Sequence, residues 1–193
     1  MKILLIGLGN PGSKYRNTLH NAGHLLVDWL KKGSHETPFP IKTSSFMNES
    51  GKDVLKILKK WGSAPKGPPA QAGALPQFMI AHDDIDIPLG KFKVTFGNTS
   101  GGHKGVQSVI DSLGTKNFWR IRIGVQLLSY DPKVDKAEDW VLGEFTEEQL
   151  GVLREVFPDI KKFLINLINL NNSQLVSLNF SKSGKLELGA YLE

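Results

Sequence analysis

Short apolar runs along the chain alternate with amphipathic segments, a pattern that predicts strands followed by helices. Residues 2–7 (KILLIG) and 77–81 (QFMIA) are continuous apolar runs, which are typical of buried strands in a parallel sheet. Residues 91–97 (KFKVTFG) and 118–125 (FWRIRIGV) alternate between polar and apolar positions, as half-exposed strands do. A further short strand is predicted within residues 41–48 (IKTSSFMN).

Apolar residues recur at helical spacing between these strands. Residues 17–33 predict a helix that Asn17 or Thr18 caps and Gly33 ends, and residues 146–149 (TEEQ) form a capping box that opens another helix. Other predicted helices occupy residues 49–62, 100–114 and 159–170, and predicted loops occupy residues 34–40 and 63–76. The sequence therefore predicts an α/β protein: a single-domain, three-layer fold over residues 1–193, with a mixed, largely parallel central sheet flanked by helices. Residues 181–193 are interpreted as a tail that is either disordered or closed over the site.

The composition narrows the chemistry that this fold can carry. The 193 residues are 40% hydrophobic and 22% charged, as is usual for one globular domain. The absence of cysteine excludes disulfides, thiolate nucleophiles and cysteine metal sites, and the 5 histidines show no metal-ligand spacing, so no metal is expected. The sequence shows no signal peptide and no apolar stretch of membrane length. We therefore expect a cytoplasmic monomer that does not associate with a membrane.

The turn after the first strand, residues 7–12 (GLGNPG), fits the G-x-G-x-x-G pattern of dinucleotide-binding proteins. That pattern needs a helix that begins within the glycines, whereas helical periodicity begins only near residue 18. The acidic residue expected about 20 positions later would be Asp28, which lies inside a predicted helix. No cofactor is therefore predicted, and a dinucleotide-dependent oxidoreductase is the least favoured alternative. We interpret the turn as presenting Asn10 at the carboxyl end of the sheet.

Several polar side chains follow predicted strands or open predicted helices, where each alone could be an ordinary cap or turn residue. In an open α/β sheet, the carboxyl ends of the strands form one crevice, so we expect these side chains to converge. The residues concerned are Asn10, His20, Asn21, Asn48, Asp83, His103 and Lys104.

Four segments, in this order, resemble the bacterial peptidyl-tRNA hydrolases. They are residues 7–28 (GLGNPGSKYRNTLHNAGHLLVD), 45–52 (SFMNESGK), 81–94 (AHDDIDIPLGKFKV) and 100–125 (SGGHKGVQSVIDSLG…FWRIRIGV). The resemblance implies hydrolysis of the ester that joins a peptide to the 3′ ribose of tRNA. Such an ester is an activated acyl group, so a water molecule activated by histidine is sufficient without a metal.

The resemblance also implies roles for individual residues. His20 matches the catalytic general base, Asp83 matches the aspartate that orients it, and Asn10 and Asn48 match asparagines that position substrate and water. The expected substrate-binding residues are Tyr15, Asn21, Phe46, Met47, Asn48, His103 and Lys104. A neutral histidine titrates near pH 6.5 and can take a proton from water, and an asparagine amide can stabilise the oxyanion.

The net charge of +5 favours an anionic partner. The basic residues Lys91, Lys93, Arg120 and Arg122 are expected to contact phosphates of the tRNA acceptor stem and 3′ end. Such contacts should depend on salt and on RNA shape rather than on base sequence. The alternative, that lysines on edge strands only prevent aggregation, stays open.

Three features depart from the usual pattern of this family. Lys104 stands where the family usually has an asparagine, the segment between residues 33 and 43 is short, and the loop of residues 63–76 is long. Because His20 and Asp83 are kept, we expect an active enzyme. The Lys104 substitution keeps one alternative open, an RNA-binding module of the same fold with weakened catalysis.

Overall fold

The computed structural model describes residues 3–33, 38–62 and 78–169, and within these ranges one mixed sheet forms the centre of the fold. Its strands are β1 (Leu4–Gly7), β2 (Phe39–Lys42), β3 (Phe78–Pro88), β4 (Phe92–Phe96) and β5 (Trp119–Gln126). The strand order is β2-β1-β3-β5-β4, in which β4 runs antiparallel to β5 and the other neighbours are parallel. The predicted α/β class and the largely parallel sheet are confirmed.

Helices cover both faces of this sheet. They are α1 (Ala22–Lys31), α2 (Ser50–Trp61), α3 (Lys104–Leu113), α4 (Ala137–Trp140), α5 (Glu147–Glu155) and α6 (Phe157–Asn169). In β1, Leu4 and Ile6 pack with α2 and α3, whereas Leu5 and the preceding Ile3 pack with α1, α5 and α6. Successive side chains of a strand point to opposite faces, so this one strand contributes to both hydrophobic clusters. The three-layer prediction is thus confirmed.

Two glycines let these layers approach closely enough to bring the polar segments together. A Cβ on Gly23, in the first turn of α1, would lie 2.4 Å from the carbonyl oxygen of Ala81 in β3. A Cβ on Gly51, in α2, would lie 2.0 Å from the carbonyl oxygen of Ser108 in α3. Both distances are far below a normal contact, so a larger residue would push the site-bearing helices off the sheet.

The ends of three elements differ from the sequence prediction. Strand β2 begins at Phe39, inside a segment that was predicted as a loop, because residues 39–42 pair in parallel with β1. Strand β3 does not end at Ala81 but continues to Pro88, because β5 pairs with it beyond that point. The predicted cap at Asn17 or Thr18 is wrong, because α1 begins only at Ala22 after a 3-10 turn and the Thr18 hydroxyl donates to the carbonyl of Tyr15.

Other sequence predictions about elements are confirmed or lie outside the described residues. The capping box of residues 146–149 is present with both of its reciprocal hydrogen bonds, at the start of α5. The loop of residues 63–76 and the tail of residues 181–193 fall outside the described ranges. Within those ranges, no helix combines the length and hydrophobicity needed to span a membrane.

Candidate active site

A cavity of about 710 Å³ lies where β1, β3 and the start of α3 meet. Six of the seven polar residues expected to converge line this cavity, and they come from distant parts of the chain. Those lining the cavity are Asn10, His20, Asn48, Asp83, His103 and Lys104. The expectation that polar side chains meet at the carboxyl ends of the strands therefore located the cavity, although Asp83 lies within β3 rather than after it.

Two histidines share the carboxylate of Asp83. His20 Nδ1 lies 2.9 Å from Asp83 Oδ2, and His103 Nε2 lies 2.9 Å from Asp83 Oδ1. Asp83 is 2% exposed and His20 is 8% exposed, so the group is largely removed from solvent. A carboxylate accepts but does not donate, so both nitrogens that face it carry the proton.

The hydrogen bonds also determine whether the second nitrogen of each ring carries a proton or a lone pair. His103 Nδ1 accepts from the backbone N–H of Val106 at 3.2 Å, which caps α3 and agrees with a proton on Nε2. His20 donates through Nδ1, so its Nε2 carries a lone pair in the neutral ring. That nitrogen is the one left for the cavity, which His20 lines.

The charges at this site support the same protonation states. Burial by itself would raise the pKa of the Asp83 carboxyl, but His20 and His103 donate to it and hold its pKa well below the usual range. Burial lowers the pKa of His20, whereas the charge and hydrogen bond of Asp83 raise it, and the result lies above the ordinary 6.5. His20 is therefore a stronger base than a buried histidine without a carboxylate.

His20 is also fixed through its backbone. Its N–H donates to the carbonyl of Val141 at 2.8 Å, and the N–H of Leu19 donates to the carbonyl of Gly143 at 2.9 Å. The 3-10 turn Leu19–Asn21 then leads directly into α1. The segment that contains α4 thus supports the turn that presents the imidazole.

Asn10 is oriented by two neighbours. Its Oδ1 accepts from the backbone N–H of Met47 at 2.8 Å, while its own backbone N–H and C=O are bonded by the side chain of Asn21 at 2.7 and 3.0 Å. Among the described residues, no group accepts a hydrogen bond from Asn10 Nδ2, so this donor is available to a ligand in the cavity.

Three of the predicted substrate-binding residues lie at different distances from the cavity. Asn21 does not line the cavity, because both polar atoms of its side chain are used to brace Asn10. Tyr15 contacts Phe46 rather than the cavity itself, and the two rings pack edge-on with 6.1 Å between their centroids. Phe46 lines the cavity and is 51% exposed. It presents an apolar surface at the opening.

The predicted phosphate contacts fall into two groups. Lys91 and Lys93 are exposed, and Lys93 pairs with Arg122 across β4 and β5, which places both side chains on one face of the sheet. Arg122 Nε donates to Asp84 at 2.5 Å. Arg120 is only 2% exposed, and its guanidinium donates to the carbonyls of Asn98 and Thr99. Arg120 therefore holds the loop before α3, at a position that also lines the cavity, and its predicted phosphate contact stays a prediction.

Sequence reasoning did not single out His82 or Glu138. His82 is buried, its Nδ1 lies 2.7 Å from the carbonyl oxygen of Asp83, and its ring stands edge-on to His103 at 4.7 Å between centroids. Burial is the main reason that its pKa lies well below 6.5, so it packs as a neutral support. The sequence could have pointed to His82 through its position directly before Asp83 in the HDD triplet. No pattern in the sequence pointed to Glu138, which bonds Lys104 at 2.6 Å.

The ligand atoms of His20, Asp83 and His103 all lie within 4.8 Å of one another, a spacing that a metal ion could bridge. The hydrogen bonds do not fit that use. The nitrogen of His103 that faces Asp83 keeps its proton as long as Nδ1 accepts from Val106, and a metal ligand must be unprotonated. The arrangement is therefore better suited to holding protons.

The fold and the site together define an α/β enzyme of the hydrolase class. A family model described as peptidyl-tRNA hydrolase matches residues 4–39 and 32–185. The peptidyl-tRNA hydrolase of Thermodesulfovibrio yellowstonii is 38% identical over 186 residues, covering 86% of this chain and 92% of that protein. That of Aquifex aeolicus is 30% identical, covering 87% and 91%. A crystal structure of peptidyl-tRNA hydrolase from Acinetobacter baumannii superimposes with a TM-score of 0.66 at 25% identity, covering 90% of each chain. The chain belongs to the peptidyl-tRNA hydrolase family.

Proposed function

We propose that this enzyme hydrolyses the ester between a peptide, or an N-blocked amino acid, and the 3′ ribose of tRNA, with His20 as general base. The observation that carries the proposal is the bond from His20 Nδ1 to Asp83, which leaves His20 Nε2 as a base at the cavity. The peptidyl-tRNA hydrolase relatives at 30–38% identity support the substrate class.

In the first step, His20 Nε2 takes a proton from a water molecule as the water oxygen attacks the ester carbonyl carbon. The ionised Asp83 stabilises the imidazolium that forms, as the carboxylate of a hydrolytic triad does. Asn10 Nδ2 donates to the carbonyl oxygen as it becomes negative. His103, which donates to the second oxygen of Asp83, keeps that carboxylate oriented.

In the second step, the bond between the carbonyl carbon and the ribose oxygen breaks. His20 returns its proton to the ribose oxygen, so the products are tRNA with a free 3′ hydroxyl and a peptide carboxylic acid, which releases its proton to solvent. The same proton is used in both steps: His20 Nε2 takes it from water and returns it, while the Nδ1 proton stays bonded to Asp83. No covalent nucleophile and no cofactor are required.

The surroundings of the base suit a substrate with one constant end and one variable end. The exposed amide of Asn48 and the ring of Phe46 line the opening, where they can contact a peptide backbone without selecting side chains. Lys93 on β4, Arg122 on β5 and Lys91 just before β4 are the proposed contacts for the acceptor stem. The enzyme is proposed to act as a monomer in the cytoplasm.

The test compares N-acetyl-aminoacyl-tRNA with unblocked aminoacyl-tRNA, both in the presence of EDTA. The wild type should cleave the blocked substrate selectively, and His20→Ala should abolish cleavage while it still binds tRNA. A wild type that binds tRNA but cleaves neither substrate would instead support the RNA-binding alternative.

A further inference from the structure

One ion pair joins the two walls of the cavity. Lys104 is the first residue of α3 and Glu138 lies in α4, and Lys104 Nζ is 2.6 Å from Glu138 Oε2. Both residues line the cavity. The ammonium group of Lys104 at the cavity is therefore already paired with a carboxylate oxygen.

This pair is charged but easily separated. Hydrogen bonding to Glu138 is the main cause of a raised pKa at Lys104, and the same bond lowers the pKa of Glu138, so both are ionised at neutral pH. The two side chains are 62% and 58% exposed. Exposed pairs of this kind change an equilibrium by about five-fold at most, so another anion can replace the carboxylate.

The pair is close to the catalytic base. Lys104 directly follows His103, which bonds Asp83, and its charge lowers the pKa of His20. The segment of Glu138 continues to Val141, whose carbonyl accepts from the His20 N–H. A substrate whose ester reaches His20 therefore has its adjoining groups beside a cavity that Lys104 also lines.

In the proposed substrate, those groups include a phosphate. The ester is on the 3′ oxygen of the terminal nucleoside, and the 5′ oxygen of the same ribose carries the last phosphodiester of the tRNA. We propose that Glu138 occupies the position of this phosphodiester on Lys104 in the free enzyme, so that substrate binding exchanges a carboxylate for a phosphate. This inference rests on the proposed function and adds a specificity-determining pair to it.

The test uses two substrates, of which only the first carries this phosphate, together with the rest of the tRNA: N-acetyl-aminoacyl-tRNA and the N-acetyl-aminoacyl ester of adenosine. Glu138→Gln removes the competing charge, so KM for the tRNA substrate should fall about two- to five-fold, and Lys104→Gln should raise it by a similar factor. For each variant, the change in KM for the tRNA substrate should exceed its change in KM for the adenosine ester by at least two-fold. Glu155→Gln and Lys56→Gln make the same charge changes at exposed positions outside the cavity and serve as controls.

Two further readouts separate this exchange from a general charge effect. The double variant Lys104→Gln/Glu138→Gln should show the KM of Lys104→Gln alone, because Glu138 acts only through Lys104. Raising the salt concentration should reduce the difference between wild type and Glu138→Gln, because exposed charges are screened.

The inference is overturned if Glu138→Gln affects the adenosine ester as much as the tRNA substrate, since the pair would then be a steric gate. It is also overturned if Glu138→Gln and Glu155→Gln behave alike. A wild type that cleaves neither substrate would refute the proposed function itself, which is a separate and recognisable result.

Discussion

Replacing Asp83 by asparagine changes the proton arrangement of the site with little change in volume. The carboxylate accepts from His20 Nδ1 and from His103 Nε2, each at 2.9 Å. An asparagine side chain offers one acceptor oxygen and one NH₂ donor. One of the two histidines must then face a donor, so it has to change tautomer or lose its bond.

His103 is the less free to change, because its Nδ1 also caps α3 through the N–H of Val106. We therefore expect His20 to take the other tautomer, with a proton on Nε2 and no lone pair for water. The equivalent change in a serine-protease triad lowers kcat about 10⁴-fold, and we expect a loss of about 10²- to 10⁴-fold here.

The pH dependence should change as well. Asp83 raises the pKa of His20 against the effect of burial, so without the charge the pKa of His20 falls below 6.5. A base with a lower pKa stays unprotonated to lower pH. The acid limb of the kcat/KM profile of Asp83→Asn should therefore move to lower pH than that of the wild type.

The assay is kcat/KM for N-acetyl-aminoacyl-tRNA from about pH 5 to about pH 9, a range that brackets the titration of histidine. Asp159→Asn, at an exposed position in α6, makes the same substitution away from the cavity and should behave as the wild type. The reasoning is refuted if Asp83→Asn keeps its rate within about tenfold and its acid limb does not move.

Three further predictions concern the oxyanion donor, a buried histidine and the helix contact. Asn10→Asp keeps the oxygen that accepts from Met47 but removes the Nδ2 donor, so kcat should fall about 100-fold in the same assay. Burial is the main reason that the pKa of His24 is lowered to about 4, so the unfolded state binds more protons between pH 4 and 6.5. Acidification to about pH 5 should therefore cost about 2 kcal/mol of unfolding free energy in denaturant titrations, and His24→Gln should remove this cost. Gly51→Ala should destabilise by about 1–3 kcal/mol because its Cβ meets Ser108, whereas Gly151→Ala, in open space within α5, should stabilise by about 0.5–1 kcal/mol.

Each of these has a clear contrary outcome. An Asn10→Asp enzyme at the wild-type rate would show that the amide does not contact the oxyanion. Equal pH dependence of unfolding in wild type and His24→Gln would assign the acid sensitivity to other groups. If Gly51→Ala and Gly151→Ala shifted the melting temperature equally, the approach of α2 to α3 would be looser than described.

Local patterns were sufficient for much of the fold. The apolar run at residues 78–81 and the alternation at residues 92–96 form strands as predicted, and the capping box at residues 146–149 opens α5. Each of these signals depends on neighbours a few residues apart. The boundaries that failed, at Phe39 and beyond Ala81, are those where pairing with another strand extends the element.

For the candidate site too, the sequence predicted some features and missed others. The chain order of polar residues and the family resemblance brought His20, Asp83 and Asn10 together as candidates. They could not assign Asn21 to bracing Asn10 or Arg120 to holding a loop, because exposure depends on what packs above each side chain.

The sequence by itself therefore determined the element types and the α/β class, since these follow from side-chain type and short spacing, and it supplied the candidate residues for the chemistry. The tertiary structure alone decided the proton arrangement. His20 and Asp83 are 63 positions apart and meet through β3 and α1, while Lys104 and Glu138 are 34 apart and meet across the cavity. Hydrogen bonds and charges act over a few ångströms, so their partners are defined only after the sheet has brought distant segments into contact.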